Sequence, residues 1–332
     1  MRKIIFLVIF IAVILVCTSG GVVWFKKSFT PKSNVENYQS FLITKGASAG
    51  TIANRLEEEG IIRSALAFKF YTQLTGISQR IQAGEYSVSP HMSIPQIISV
   101  LTSAPLELWV TVPEGLRREE IVEKFISGLG KTEDEVSFRE EFLAQTTQKE
   151  GFLFPDTYLF PKEANASAVV AKMDRTFNLK IEDYQADIEK SGRSLEDIVT
   201  LASIIERETK TDTERPIVAG VLLNRLKIGM ALQADAATQY AIGSKNCKGK
   251  TECDWWVPLT REDLEINSPY NTYKFQGLPP APIASPGLSS LKAAINPTET
   301  DYYYYIHDPS GQIHFAKTLD EHNANVRKYL GK

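Results

Sequence analysis

SLEDIVTLASIIERET, residues 194–209, carries the clearest periodic signal in the chain. Ile198, Leu201, Ala202 and Ile205 recur at i, i+3, i+4 and i+7, the apolar stripe of an amphipathic helix. Ser194 with Asp197 three residues on is a variant of the capping box, so a helix is expected over Leu195–Thr209. At about 100° per residue from Ile198, Glu206 falls near ~80° and Glu208 near ~280°. The two carboxylates therefore border the stripe from opposite sides, and Arg207 points to solvent. A carboxyl group at such an edge is partly desolvated, which favours its protonated form and suits it to give up a proton near neutral pH. The plainer reading is two solvated flanking charges, and helix geometry does not choose between Glu206 and Glu208.

Around this helix lies an ordinary globular composition: 332 residues, 43% hydrophobic and 23% charged, with 20 Gly and 16 Pro. At roughly 100 to 200 residues per domain, that length gives about two domains. Lys+Arg 37 against Asp+Glu 40 leaves a net charge of -3, so there is no positive field to hold a polyanion and nucleic acid is not an expected partner. Three Cys exclude a disulfide-stapled miniature scaffold and a zinc site built from four cysteines.

Arg2 and Lys3 precede an apolar or small run from Ile4 to Phe25, and Lys26 and Lys27 follow it. As a helix, residues 4–25 would reach about 33 Å, enough for a ~30 Å hydrocarbon core. The expectation is a single membrane anchor, with residues 1–3 cytoplasmic and the body exported. A cleaved signal peptide would take Ile4 to Val16 with a cut near Ser19, but Val22, Val23, Trp24 and Phe25 continue the run. Lipidation at Cys17 is disfavoured by the large Val16 before it. Export makes a disulfide between Cys247 and Cys253, in the polar stretch NCKGKTECD (246–254), the expected state of that pair.

Residues 26–38 read as a tether containing Pro31. SFLITKGASAGTIANRLEEEGII (40–62) reads as strand, turn and a helix bearing Ile52, Ala53 and Leu56. A second helix follows over Ser64 to Thr75, then a strand GEYSVSP ended by Pro90, then a helix capped by Ser93 and running through Leu101. This region, 39–104, resembles the LysM module, which binds amino sugars of cell-wall glycans; the plainer reading is a small α+β packing domain. LELWVTVPEGLRREEIVEKF (106–125) is a further strand, turn and helix, and acidic linking sequence completes a connecting region over 105–149. From Glu150 the loops become rich in Gly, Pro, Asn and aromatic residues, and 150–332 is expected to form a larger mixed α+β domain that carries the chemistry.

Three long segments then narrow the function: EGFLFPDTY (150–158), LASIIERETKTDTERPIVAGVLLNRLKIGMALQADAATQYAIG (201–243) and SPYNTYKFQGLPPAPIASPGLSSLKAAINP (268–297). In this order they resemble the endolytic murein transglycosylase (YceG-like) family, from about Phe41 to Tyr329. The resemblance implies an α+β protein anchored in the bacterial inner membrane by one N-terminal helix, with a LysM-like region and a periplasmic catalytic domain. It implies cleavage of the β-1,4 bond between N-acetylmuramic acid and N-acetylglucosamine inside peptidoglycan strands, beside the peptidoglycan synthases, without a cofactor. The muramic acid's own 6-hydroxyl attacks its anomeric carbon, so one glutamate serves first as acid and then as base and the product is a 1,6-anhydro end. The resemblance assigns that role to the glutamate of the ASIIE motif, Glu206.

Substrate contacts are expected from Asn224, Gln233, Asp235 and Tyr240, since amides match hydroxyl and acetamido groups and rings stack on sugar faces. The same amides could instead cap helices. The stiff loop presenting Tyr270, Asn271, Thr272 and Tyr273 is expected to wall the groove, with Glu150 and Asp156 lining or bracing it. Tyr302–Ile306 and Gln312–Ala316 read as a hairpin in which at least one pair of tyrosines is core, with a terminal helix over Leu319–Tyr329. His307, His314 and His322 lack metal-site spacing, so no metal is expected. The stretch NCKGKTECDWW departs from the family pattern and puts the local groove shape in question. Two rivals stand beside the lyase: a non-catalytic glycan-binding scaffold, and a water-using muramidase with Glu208, Glu150 or Asp156 as second carboxylate.

Overall fold

Alternation of Phe41 and Ile43 builds strand β1 (Gln39–Ile43), which pairs antiparallel with β2 (Gly84–Val88) in a register that sets Phe41 opposite Tyr86. These strands belong to a computed structural model that describes residues 26–103, 106–132, 134–248, 250 and 253–331. The expected anchor over 4–25 and the tail before it lie outside the described residues. Among the described residues no helix is long and apolar enough to cross a membrane.

The chain divides into two compact units. The first takes in the described residues up to Val110 together with Tyr158–Glu163. Between β1 and β2 run helices α1 (Ala49–Glu58) and α2 (Ala65–Thr75), and α3 (Ile94–Leu101) follows β2. Ser48 and Ser64 cap the first two by accepting the N–H groups of Thr51 and Ala67, and Ser93 with Gln96 forms a capping box on the third. Phe41, Leu56, Phe68, Tyr86 and Ile98 form the centre of one buried core. Strands β3 (Glu107–Thr111) and β4 (Thr157–Pro161) complete the sheet in the order β1-β2-β3-β4. β4 thus lies inside the stretch 150–332 expected to be a separate domain; Tyr158 and Phe160 alternate into the buried face, which makes the segment a strand of this sheet.

The second unit takes in Thr111–Thr157 and the residues from Ala164 onward. It holds helices α4 (Arg118–Leu129), α5 (Glu135–Gln145), α6 (Ala166–Glu182), α7 (Gln185–Ser191), α8 (Leu195–Glu208), α9 (Arg215–Lys227), α10 (Asp235–Asn246) and α11 (Leu288–Ile295). The hairpin β5 (Tyr304–His307) and β6 (Ile313–Ala316), then α12 (Leu319–Asn325) and a wider helical turn over Val326–Leu330, close it. Acidic sequence expected to be a linker is in fact α5, because Phe138 and Phe142 lie one turn apart and are buried, the latter against Phe125.

Helix α8 is the axis of this unit. Ser194 accepts the Asp197 N–H at 3.0 Å, so the helix starts where the capping signal put it. The stripe expectation was too narrow: every residue from Ile198 to Ile205 is buried, because α9, α10 and α11 all pack against it. Two of those residues are polar, and Ser203 Oγ accepts the Ile283 N–H at 3.0 Å while donating to the Thr200 carbonyl at 2.7 Å. Only the last turn, with Glu206, Arg207 and Glu208, leaves the core.

Candidate active site

The two glutamates of that last turn reach different neighbours. Glu206 Oε1 accepts from Arg215 Nη2 at 3.0 Å, and its Oε2 accepts the backbone N–H of Gly287 at 2.9 Å. Gly287 is the N-cap of α11, where the helix field favours an anion. Glu114, in the turn between β3 and α4, crowds the same residue, and a methyl group at Gly287 would collide with its carboxylate. Burial pushes the Glu114 carboxyl above its ordinary value, the charge of Glu206 adds to this, and Arg215 opposes it. Glu114 was not singled out from the sequence; its only signal was the PEG turn ahead of a helix.

Glu208 sits on the other side of α8. Its Oε2 accepts from the Tyr305 hydroxyl at 3.1 Å, and its carboxylate also accepts the Ala236 N–H in the first turn of α10. Burial pushes the Glu208 carboxyl up to about 7, and Asp235 adds to the shift; Tyr305, Ala236 and Arg225 oppose it. Asp235 is exposed and accepts a hydrogen bond from the Tyr273 hydroxyl. Gln233 is exposed too, and its φ of 48° is a left-handed conformation that non-glycine residues seldom adopt. The Thr272 carbonyl holds the Gln233 N–H at 3.1 Å, and Thr272 Oγ1 holds the Ala234 N–H at 2.9 Å.

Asp235 and Tyr273 therefore bear on Glu208, and Gln233 lies two residues before Asp235. Asn271 and Thr272 come from the same loop but are buried, so they brace it instead of walling a groove. Asn271 Nδ2 donates to the carbonyls of Leu264 and Ile266 at 2.8 and 2.9 Å. Asn224 likewise turns its amide nitrogen to the carbonyls of Thr300 and Tyr302, at 2.7 and 3.0 Å. Both amides brace neighbouring loops through backbone carbonyls, and neither caps an α-helix.

Tyr240, Tyr270 and Glu150 form a third group. Glu150 accepts the Arg118 N–H at 3.2 Å and the Tyr240 hydroxyl at 3.3 Å, and the Tyr240 and Tyr270 rings lie 4.8 Å apart. Burial, with the charge of Glu119, pushes the Glu150 carboxyl up to about 8. These groups line a cavity of about 580 Å³ that also touches Glu196, some 15 Å along α8 from the last turn at the usual rise. Asp156 accepts the Thr157 N–H at 2.8 Å and pairs with Lys180 at 3.3 Å on the surface.

Cys247 and Cys253 are bonded to each other, with Cα atoms 5.6 Å apart. The two tryptophans after them are held by cations: Arg117 lies between Tyr240 and Trp255, at 3.9 and 4.4 Å, and Arg207 lies 3.8 Å over Trp256. Arg207 is exposed, as expected, but it is not idle. His307 and His314 each pair with a carboxylate, Glu214 at 3.1 Å and Asp308 at 2.9 Å.

Residues 41–328 match the model of the YceG-like family. The chain is 34% identical over 312 residues to the endolytic murein transglycosylase of Bacillus subtilis, covering 87% of this chain and 84% of that protein. It is 25% identical over 364 residues to the endolytic murein transglycosylase of Streptococcus pneumoniae, covering 98% of this chain and 65% of that longer protein. A crystal structure of a yceG-like protein from Listeria monocytogenes is similar with a TM-score of 0.56 and 30% identity, over 87% of this chain and 99% of that one. With the match spanning both compact units, the chain belongs to the YceG-like family.

Proposed function

We propose that this protein is a peptidoglycan lytic transglycosylase that cleaves the β-1,4 bond between N-acetylmuramic acid and N-acetylglucosamine within glycan strands and leaves 1,6-anhydro ends. Its family and the names of its relatives support the substrate and the reaction class. One observation carries the chemistry: Glu208, pushed up to about 7 by burial, accepts the Tyr305 hydroxyl and feels the charge of the exposed Asp235. A carboxyl group of that kind holds a proton near neutral pH and can deliver it.

In this reading Glu208 gives its proton to the glycosidic oxygen as the bond from that oxygen to the anomeric carbon breaks. The muramic acid 6-hydroxyl then bonds to the anomeric carbon, and its proton returns to Glu208. No water is consumed, and no cofactor or metal enters either step. Tyr305 and the Ala236 N–H stabilise the carboxylate formed in between.

Glu206, the residue implied by the ASIIE resemblance, is the second reading, favoured by the neighbouring carboxyl of Glu114. Its two oxygens are already engaged by N–H donors from Arg215 and Gly287. That arrangement fits a carboxylate that ties α8 to α9 and to the start of α11, and it leaves no O–H directed at a leaving group.

The same reading includes one membrane anchor over residues 4–25, with the rest of the chain outside the cytoplasm of a bacterium. It also gives the LysM-like region 39–104 a glycan-binding role and places the enzyme beside the peptidoglycan synthases. The apolar run and the family resemblance support these statements. The direct test is to incubate the full chain in detergent with purified glycan strands and identify the ends by mass spectrometry. Anhydro ends are expected; reducing ends would make the enzyme a muramidase, and intact strands would leave a glycan-binding scaffold.

A further inference from the structure

Asp235 is the first residue of α10, and Glu208 accepts the N–H of the very next residue, Ala236. Asp235 therefore directly precedes the residue whose N–H Glu208 accepts, and its charge acts on the Glu208 carboxyl. It is also held in place, because Tyr273 donates its hydroxyl to Asp235 Oδ1. Tyr273 in turn belongs to a loop pinned to the start of α10 by Thr272, whose hydroxyl and carbonyl bind Ala234 and Gln233. Loop and helix together hold an exposed, solvated carboxylate against a buried one.

We infer that Asp235, positioned by Tyr273, is the charge that keeps the proton on Glu208 until the leaving group takes it. This rests on Glu208 being the acid. Two like charges that act on one another are both disfavoured, and the buried member of the pair is the one that keeps the proton. The other groups that bear on Glu208 do the reverse or are otherwise engaged. From β5, Tyr305 donates to the carboxylate. From α9, Arg225 attracts it, although its guanidinium is bound to the carbonyls of Tyr303 and Leu232 at 2.6 Å each. From α8 itself, Arg207 attracts it from over Trp256. His322 on α12 lies near Arg225 and is held below its ordinary value by burial and by that cation, which disfavours its charged form. Among these groups Asp235 is the negative one, which makes it a positioning residue for the proton.

The experiment is the pH dependence of kcat/KM for the full chain, its Asp235→Asn and Asp235→Glu variants, and Glu208→Gln. For Asp235→Asn the alkaline limb is expected to move down by about one pH unit, so activity falls about tenfold at pH ~8 and stays within about threefold of the parent at pH ~5.5. Asp235→Glu is expected to restore the limb. Tyr273→Phe, which leaves the charge in place but unfixed, is expected to give a smaller shift of the same sign. An unmoved limb, or an equal loss at every pH, would overturn the inference while an inactive Glu208→Gln kept the underlying reading intact. A fully active Glu208→Gln would overturn both.

Discussion

Glu206 and Glu208, two residues apart on α8, end at the N-termini of two different helices: Glu206 accepts the Gly287 N–H of α11, and Glu208 the Ala236 N–H of α10. Each anion is favoured there by the unpaired N–H groups of the helix start. The difference is what else surrounds them. Arg215 completes the Glu206 site, whereas Glu208 has a phenol, a neighbouring carboxylate and solvent-facing side chains. One arrangement is a joint between helices and the other is a proton-transfer site.

The cost of that site is visible in stability. Glu208 has a folded-state pKa of about 7, above the value of ~4.3 for an unperturbed glutamate. The folded protein therefore binds the proton more tightly than the unfolded chain, and the associated stability is complete below pH ~4.3 and is lost as pH rises through about 7. Glu208→Gln is expected to melt at a higher temperature than the parent at pH 8, with the gap closing at pH 4. Equal melting temperatures at both pH values would contradict the shifted carboxyl.

Tyr305→Phe removes the hydroxyl that donates to Glu208 Oε2. Losing a donor to the carboxylate favours the acid, so the alkaline limb of kcat/KM is expected to move upward by less than about one pH unit. A downward shift would show that Tyr305 does not act on Glu208 in this way.

Gly287→Ala places a methyl group against the Glu114 carboxylate, next to the N–H that Glu206 accepts. Glu114 is an exposed, flexible side chain whose carboxylate can swing aside, so the cost is expected to stay below about 1 kcal/mol and scanning calorimetry to show a melting temperature within a few degrees of the parent. The folded fraction should keep most of its turnover. A melting temperature lower by many degrees would mean that the Glu114 carboxylate cannot move away.

The bond between Cys247 and Cys253 closes a short loop, for which chain entropy gives about 2 kcal/mol. Replacing both cysteines with serine is expected to lower the denaturant midpoint accordingly, and reductant should bring the parent to the same midpoint. A parent midpoint indifferent to reductant would show that the pair does not cross-link the protein in solution.

Local signals gave a good account of the elements. The Ser194 cap, the helix ending near Glu208, the strands at 39–43 and 84–88 and the terminal hairpin were all legible, because caps, alternation and apolar spacing act over a few residues. What was not legible depends on partners far along the chain. Tyr305 lies 97 residues from Glu208, and Gly287 lies 81 from Glu206. Periodicity bordered the buried stripe with both glutamates and could go no further. β4 was assigned to the larger domain because nothing local marks Tyr158 as a partner of the first unit's sheet. Asn271 and Thr272 read as groove residues because polar loop residues usually face water, whereas here they hold the loop from inside.

The most direct test sets Glu208→Gln beside Glu206→Gln in the full chain, with the rate of anhydro-end formation measured at neutral pH and folding checked by thermal unfolding. Removing a general acid costs about 10² to 10⁴ in rate. The expected result is a loss of that size for Glu208→Gln in a well-folded protein, with Glu206→Gln keeping activity within about tenfold while melting lower. An active Glu208→Gln beside an inactive, fully folded Glu206→Gln would contradict the account and move the acid to the other face of α8.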